Sequence, residues 1–204
     1  VDIKILGGRD MKIPFTTKDI SVTEERFEFI KNTKGGSSGI FAGAIFWLLA
    51  VVISSIAPKE VAANFYIFGG IVVIPVGSSL ILKMMGGKME KSSYNSLIII
   101  SNMLFAFLYP LLLIIGASNL NYIPAAVAII NGAHLLVFMW IHYEFLHCIM
   151  AVVSLLVGCL FIFYIPQYAF RGVGLINLVV NLIFGFLVFR STATPLKQYN
   201  YSIR

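Results

Sequence analysis

The sequence predicts an all-α, polytopic membrane protein, a bundle of six transmembrane helices. Of its 204 residues, 59% are hydrophobic and 12% are charged, and the mean hydropathy is +0.91. A soluble domain has roughly 25% charged residues. The apolar runs are continuous and close to the roughly 20 residues that a helix needs to cross a bilayer. This composition excludes an ordinary soluble enzyme, a nucleic-acid-binding domain and a disordered chain.

Six apolar runs follow one another between residues 39 and 190. They cover about 39–57, 61–84, 95–117, 123–141, 145–165 and 172–189. The fourth and fifth form one apolar stretch of about 44 residues, twice what a bilayer accommodates, so the chain must turn at His142–Glu144. Proline inside a helix removes a hydrogen bond, so Pro75 and Pro110 predict kinks in the second and third spans.

Lysine and arginine residues predict the orientation of the bundle. Eleven of them lie in the segment 11–38, in the loop after the second span or in the C-terminal tail. Only Lys59 and Arg171 lie in the loops on the other side. Because cytoplasmic loops are enriched in Lys and Arg, both termini are predicted in the cytoplasm. The net charge of +6 then indicates a lipid bilayer, and not nucleic acid, as the partner.

Three segments lie outside the predicted spans. Residues 1–10 precede the first methionine and back-translate to a ribosome-binding sequence, so we expect a translated leader. This hypothesis implies a bacterial source and places the protein in the cytoplasmic membrane. Residues 11–38 are expected to form a cytoplasmic segment, with a short interfacial helix at about 22–33 that begins with a capping-box pattern. Residues 191–204 are the predicted cytoplasmic tail.

Four polar residues indicate a candidate cavity inside the bundle. Asn131 and His134 belong to the fourth span, and Asn177 and Asn181 share one face of the sixth. A substrate cavity requires the two pairs to face each other. The alternative is ordinary hydrogen bonding between helices. No Asp, Glu, Lys or Arg occupies the centre of any span, so the usual sign of ion coupling is absent.

The turn between the fourth and fifth spans holds a candidate metal site, formed by His142, Glu144 and His147. Imidazole and carboxylate groups are common ligands of transition metals. The two histidines are five residues apart, about 140° around a helix, so they converge only if the turn bends them together. The alternative is a solvated turn without cofactor. No motif for another cofactor is present, and no catalytic residue is assigned.

A pair of glycines predicts close packing of the first span. Gly39 and Gly43 form a GxxxG pattern, which lets another helix approach closely. The neighbouring helix could belong to the same chain, to a second copy or to another membrane protein.

The segment Lys34–Gly39, the first span around Trp47 and the six-span layout resemble small uncharacterised multi-pass membrane proteins of Gram-positive bacteria. These proteins carry a domain of unknown function, so the resemblance implies no activity. The residues themselves favour a non-enzymatic protein, namely a transporter-like, permeation or accessory subunit. One alternative is a metal-binding protein or enzyme that uses the turn at His142–His147. The other is a scaffold that binds partners through Gly39 and Gly43.

Overall fold

The computed structural model describes residues 24–89 and 92–202, which form eight α-helices and no strand. The helices are α1 (Glu24–Asn32), α2 (Ser37–Ile56), α3 (Lys59–Met84), α4 (Ser93–Ala106), α5 (Tyr109–Ser118), α6 (Ile123–His142), α7 (Leu146–Phe163) and α8 (Ala169–Ser202). Short 3-10 helices at Lys34–Gly36, Leu120–Tyr122 and Pro166–Tyr168 precede α2, α6 and α8. The predicted leader, residues 1–10, and the start of the predicted interfacial helix lie outside the described residues.

The predicted all-α class is confirmed for this part of the chain. Five of its helical segments are long and apolar enough to cross a membrane. They are Lys34–Ile56, Lys59–Met84, Leu120–His142, Leu146–Phe163 and Pro166–Thr192. These segments correspond to five of the six predicted spans.

The predicted third span, 95–117, is divided into two helices. α4 has 14 residues and α5 has 10, so neither has the length of the other five. Pro110 is the second residue of α5, a position where the missing N–H of proline costs no helical hydrogen bond. Pro110 therefore begins a new helix and does not kink a continuous one. Pro75, in contrast, lies inside α3, which continues as a helix through it.

Hydrogen bonds define the two ends of the bundle. At the end that carries α1, which we call the α1 end, the amide of Ser93 donates to Glu25 Oε1 at 3.0 Å. At the opposite end, the far end, Lys59 Nζ donates to Asn121 Oδ1 at 3.3 Å. α4 begins at the α1 end and α5 ends shortly before Asn121. Residues 93–118 therefore connect the two ends, as each long helix does.

The main core lies toward the far end and is built from aromatic rings. The ring centres of Phe46, Trp47 and Tyr66 lie 5.1–6.3 Å apart. The hydroxyl of Tyr66 donates to the carbonyl oxygen of Phe170 at 2.6 Å. These contacts join α2, α3 and α8, and the buried tyrosine hydroxyl has the partner that burial requires.

Small residues bring α2 close to α3 and α8. Ser38 Oγ lies 3.2 Å from Ser78 Oγ. A Cβ atom added at Gly43 would lie 2.5 Å from Asn181 Oδ1, whereas one added at Gly39 would lie 3.9 Å from Ser78 Oγ. The predicted packing residues Gly39 and Gly43 thus lie beside α3 and α8, respectively, of the same chain. Of the two, only Gly43 is so close to its neighbour that a side chain would overlap it.

We expect Gly43→Ala to destabilise the protein by about 1–3 kcal/mol, because the new methyl group overlaps the side chain of Asn181. Gly39→Ala is the matched control in the same motif. It meets only ordinary contacts and gains helix propensity, so it should be neutral or slightly stabilising. Denaturant unfolding in detergent measures both free energies. Equal effects of the two substitutions would contradict the described packing of α2.

Candidate functional site

Arg26 connects α1 to the C-terminal end of α6 through a hydrogen bond and contacts with aromatic rings. Its Nε donates to the carbonyl oxygen of Ile141 at 3.3 Å. The guanidinium carbon lies 5.0 Å from the ring centre of Trp140, 5.2 Å from that of Tyr143 and 5.8 Å from that of Tyr94. Burial lowers the pKa of Arg26, and the two tyrosines act in the opposite direction. The aromatic faces offset part of the cost of burying this cation.

The turn between α6 and α7 is closed by hydrogen bonds. Tyr143 has a φ of +52°, in the left-handed region that favours glycine. The amides of Tyr143 and Glu144 both donate to Met139 O, which ends α6. The Oε1 atom of Glu144 accepts from the amide of Leu146 at 3.2 Å, which begins α7. Its other carboxylate oxygen accepts from the hydroxyl of Ser191, so α8 is joined to the turn.

This turn places two imidazole rings beside each other. The ring centres of His142 and His147 are 5.6 Å apart, with 12° between their planes. The two residues are 2% and 0% exposed. The ring of Phe138 lies 5.6 Å from His142 and 6.4 Å from His147, and Phe29 of α1 lies 5.5 Å from His142. The histidines are therefore enclosed by aromatic rings at the α1 end.

Hydrogen bonds determine which ring nitrogens carry protons. Nδ1 of His142 lies 3.3 Å from the carbonyl oxygen of Phe138, and Nδ1 of His147 lies 3.2 Å from that of Glu144. A carbonyl oxygen only accepts, so each Nδ1 carries a proton and donates it. In the neutral imidazole, each Nε2 then has a lone pair. Both Nε2 atoms are buried and have no hydrogen-bond partner in the described part of the protein.

The backbone of Gly36 covers one face of the His142 ring. Gly36 has a φ of +79°, and a Cβ atom there would lie 2.8 Å from Cε1 and 3.1 Å from both ring nitrogens of His142. Nearly equal distances to these three atoms place the glycine over the ring face. Any other residue would strain the backbone and displace the imidazole.

Of the predicted metal site, the structure brings together His142 and His147 but not Glu144. Both carboxylate oxygens of Glu144 are occupied by the hydrogen bonds of the turn. Over residues 24–89 and 92–202, no group of three or more His, Cys, Asp or Glu side chains is close enough to hold one metal ion. Cys148 and Cys159 are free thiols.

Two of the predicted cavity residues belong to a buried polar seam between α7 and α8. Asn177 and Asn181 are 1% and 5% exposed. The hydroxyl of Ser154 donates to Asn177 Oδ1 at 3.2 Å. The side-chain amide of Asn177 donates to Val173 O, and that of Asn181 donates to Asn177 O. Both polar groups of the Asn177 side chain and the side-chain amide of Asn181 thus have partners within the chain.

The other two predicted cavity residues contact a different part of the bundle. The Nδ1 atom of His134 lies 3.1 Å from the Oγ atom of Ser101 in α4. Asn131, one turn earlier on α6, is partly exposed. The hydrogen bonds therefore join His134 to α4 and Asn177 to α7, so these two predicted cavity residues belong to different helix pairs.

Arg26 and Gly36 were missed by the sequence analysis. Arg26 contacts Ile141 across 115 positions of the chain, and no local pattern reveals such a pairing. Trp140 and Tyr143 fit an interfacial aromatic belt equally well. A Gly-Gly pair directly before a long apolar helix was the available signal for Gly36.

The fold and the site define the class of protein. It is a helical bundle with apolar helices of membrane-spanning length and a buried pair of imidazole rings at one end. The chain belongs to a family of unknown function, DUF7010, whose model matches residues 22–191. This match confirms the predicted resemblance to an uncharacterised family. Neither a curated protein nor a solved structure matches the chain.

We expect Arg26→Met to loosen α1 from the bundle, because the substitution removes the hydrogen bond to Ile141 and the contacts with three aromatic rings. A loss of about 1–3 kcal/mol corresponds to hydrogen exchange in α1 that is about 10- to 100-fold faster. The control is Lys31→Met in the same helix, which removes only a surface ion pair with Glu28. Equal exchange rates in the two variants would contradict the anchoring role of Arg26.

Proposed function

We propose that the protein is a non-enzymatic, multi-pass protein of the bacterial cytoplasmic membrane, with six crossings and both termini in the cytoplasm. We further propose that it acts as an accessory or permeation subunit. The proposed orientation is supported by the distribution of positive charge between the two ends of the bundle.

Lysine and arginine residues from three separate segments lie at the α1 end. They are Arg26, Lys31, Lys34, Lys83, Lys88 and Arg190. The far end has Lys59 and Arg171. Because positive residues are retained on the cytoplasmic side, this asymmetry supports a cytoplasmic location for the α1 end.

The backbone at the break between α4 and α5 supports a third crossing made of two helices. The amide of Phe107 donates to Met103 O at 3.2 Å, and the amide of Leu111 donates to Leu108 O at 3.1 Å. Within hydrocarbon, backbone polar groups need such internal partners. Together α4 and α5 connect the α1 end to the far end, which supports an even number of crossings with both termini on one side.

The polar contacts favour an accessory or permeation role over a transporter with a solute cavity. His134 and Asn177 bond to different helices. Asn177 bonds to Ser154 and Val173 O, and the side-chain amide of Asn181 bonds to Asn177 O, which reduces the polar capacity available to a solute. The carboxylate of Glu144 accepts hydrogen bonds from Leu146 and Ser191, which favours a structural role for this residue over a catalytic one. Gly43 packs against α8, which weakens the scaffold alternative that uses this glycine as an outer interface.

Cysteine labelling tests the topology in a background of Cys148→Ala and Cys159→Ala. Single cysteines at Lys59, Ser118 and Gln167 should react with a membrane-impermeant maleimide in intact cells. A cysteine at Lys88 should react only after the membrane is permeabilised. Labelling of the Lys88 position in intact cells would show that the bundle has the opposite orientation. Protection of the Ser118 position in intact cells would contradict the third crossing.

A double-mutant cycle tests whether the polar residues share a cavity. We expect the effects of His134→Ala and Asn177→Ala on the free energy of unfolding to add within about 0.5 kcal/mol, because the hydrogen bonds of the two residues join different helix pairs. Ser154→Ala with Asn177→Ala is the positive control, since this pair shares a hydrogen bond and should couple. Strong coupling between His134 and Asn177 would instead favour a transporter with a common cavity.

A further inference from the structure

The two unpartnered Nε2 atoms at the α1 end have the arrangement of metal ligands. Histidines that bind metals commonly donate the other ring N–H to a carboxylate or a backbone carbonyl, which fixes the orientation of the ring. His142 and His147 each make this bond, to Phe138 O and to Glu144 O. We propose that the two Nε2 atoms bind one copper(I) ion. This proposal does not depend on the topology or on the accessory role.

The distance between the rings fits a shared ion. Nitrogen ligands lie about 2.0–2.1 Å from the metal, so the centres of two imidazole rings bound to one ion are at most about 6.4 Å apart. The ring centres of His142 and His147 are 5.6 Å apart. The two imidazoles therefore lie within the range for one shared ion, and a near-linear N–Cu–N arrangement requires their centres to separate by about 0.8 Å.

The number of ligands and the local charge select the ion. In the part of the chain that the structure describes, no third His, Cys, Asp or Glu joins the pair. Zinc(II) prefers four ligands, whereas copper(I) is stable with two, and imidazole is a ligand for copper. Arg26 contacts Ile141, the residue before His142, so a positive charge already lies nearby. A monovalent ion adds less repulsion there than a divalent ion.

The surroundings protect a copper(I) site from water. His142 and His147 are 2% and 0% exposed. Phe138, Phe29 and the backbone of Gly36 cover the pair. A two-coordinate ion needs no additional water ligand, and the surrounding aromatic rings leave the Nε2 lone pairs as the available donors.

Competition for copper(I) tests the proposal. The full chain, purified in detergent with a tag free of His and Cys, is titrated under reducing, anaerobic conditions against the chromophoric ligand bicinchoninate. We expect one copper(I) ion per chain. His142→Phe and His147→Phe keep a flat ring but remove Nε2, so each should weaken binding by more than the roughly 10- to 100-fold that loss of an outer partner costs. His134→Phe is the matched control and should leave binding unchanged.

Further controls separate the histidine pair from other sources of copper binding. The double variant Cys148→Ser, Cys159→Ser should retain the ion, since the thiols are not its ligands. X-ray absorption of the wild-type complex should show two imidazole nitrogens and no sulfur, a result that does not require the histidine variants to fold. Absence of binding by the wild type, binding retained by both His→Phe variants, or a sulfur ligand would each overturn the proposal.

Discussion

The close approach of the turn before α2 to α6, and of α2 to α8, is the constraint on which the α1 end depends. It requires missing side chains at Gly36, over the ring of His142, and at Gly43, beside Asn181. α1 is joined to α2 by a turn that contains Lys34–Gly36, whose residues all have positive φ. The chain therefore folds back over the end of the bundle, and Arg26 reaches the last turn of α6. Larger residues at either glycine would move α2 outward and carry α1 away from the histidines.

The buried imidazole pair is costly for the fold and is held by its surroundings. A buried acceptor without a partner destabilises a protein by about 1–3 kcal/mol. A tyrosine in the left-handed region, as at Tyr143, adds a cost of similar order. Contacts among the near-parallel rings of Phe138, His142 and His147 and the hydrogen bonds of Glu144 oppose these costs. Local costs of this kind concentrate at functional sites, which supports the proposal that the histidine pair binds a ligand.

Much of the fold follows from the sequence, but the site follows only in part. Hydropathy alone located five long helices, because each must cover the thickness of a bilayer. It did not reveal the division of the third span, since Pro110 is compatible with either a kink or a new helix. The residues of the turn predicted that His142 and His147 would meet only if the chain bent, and the left-handed Tyr143 supplies that bend. The separation of His134 from the α7–α8 seam was not predictable, because hydropathy does not specify which helices are neighbours.

The most direct test is nitrogen-15 NMR of the metal-free protein, labelled at the ring nitrogens of its three histidines. Signals are assigned by their loss in His142→Phe and His147→Phe. At neutral pH we predict that both residues carry the proton on Nδ1 and a lone pair on Nε2. A proton on Nε2 of either ring, or a doubly protonated ring, would contradict the described geometry of the site.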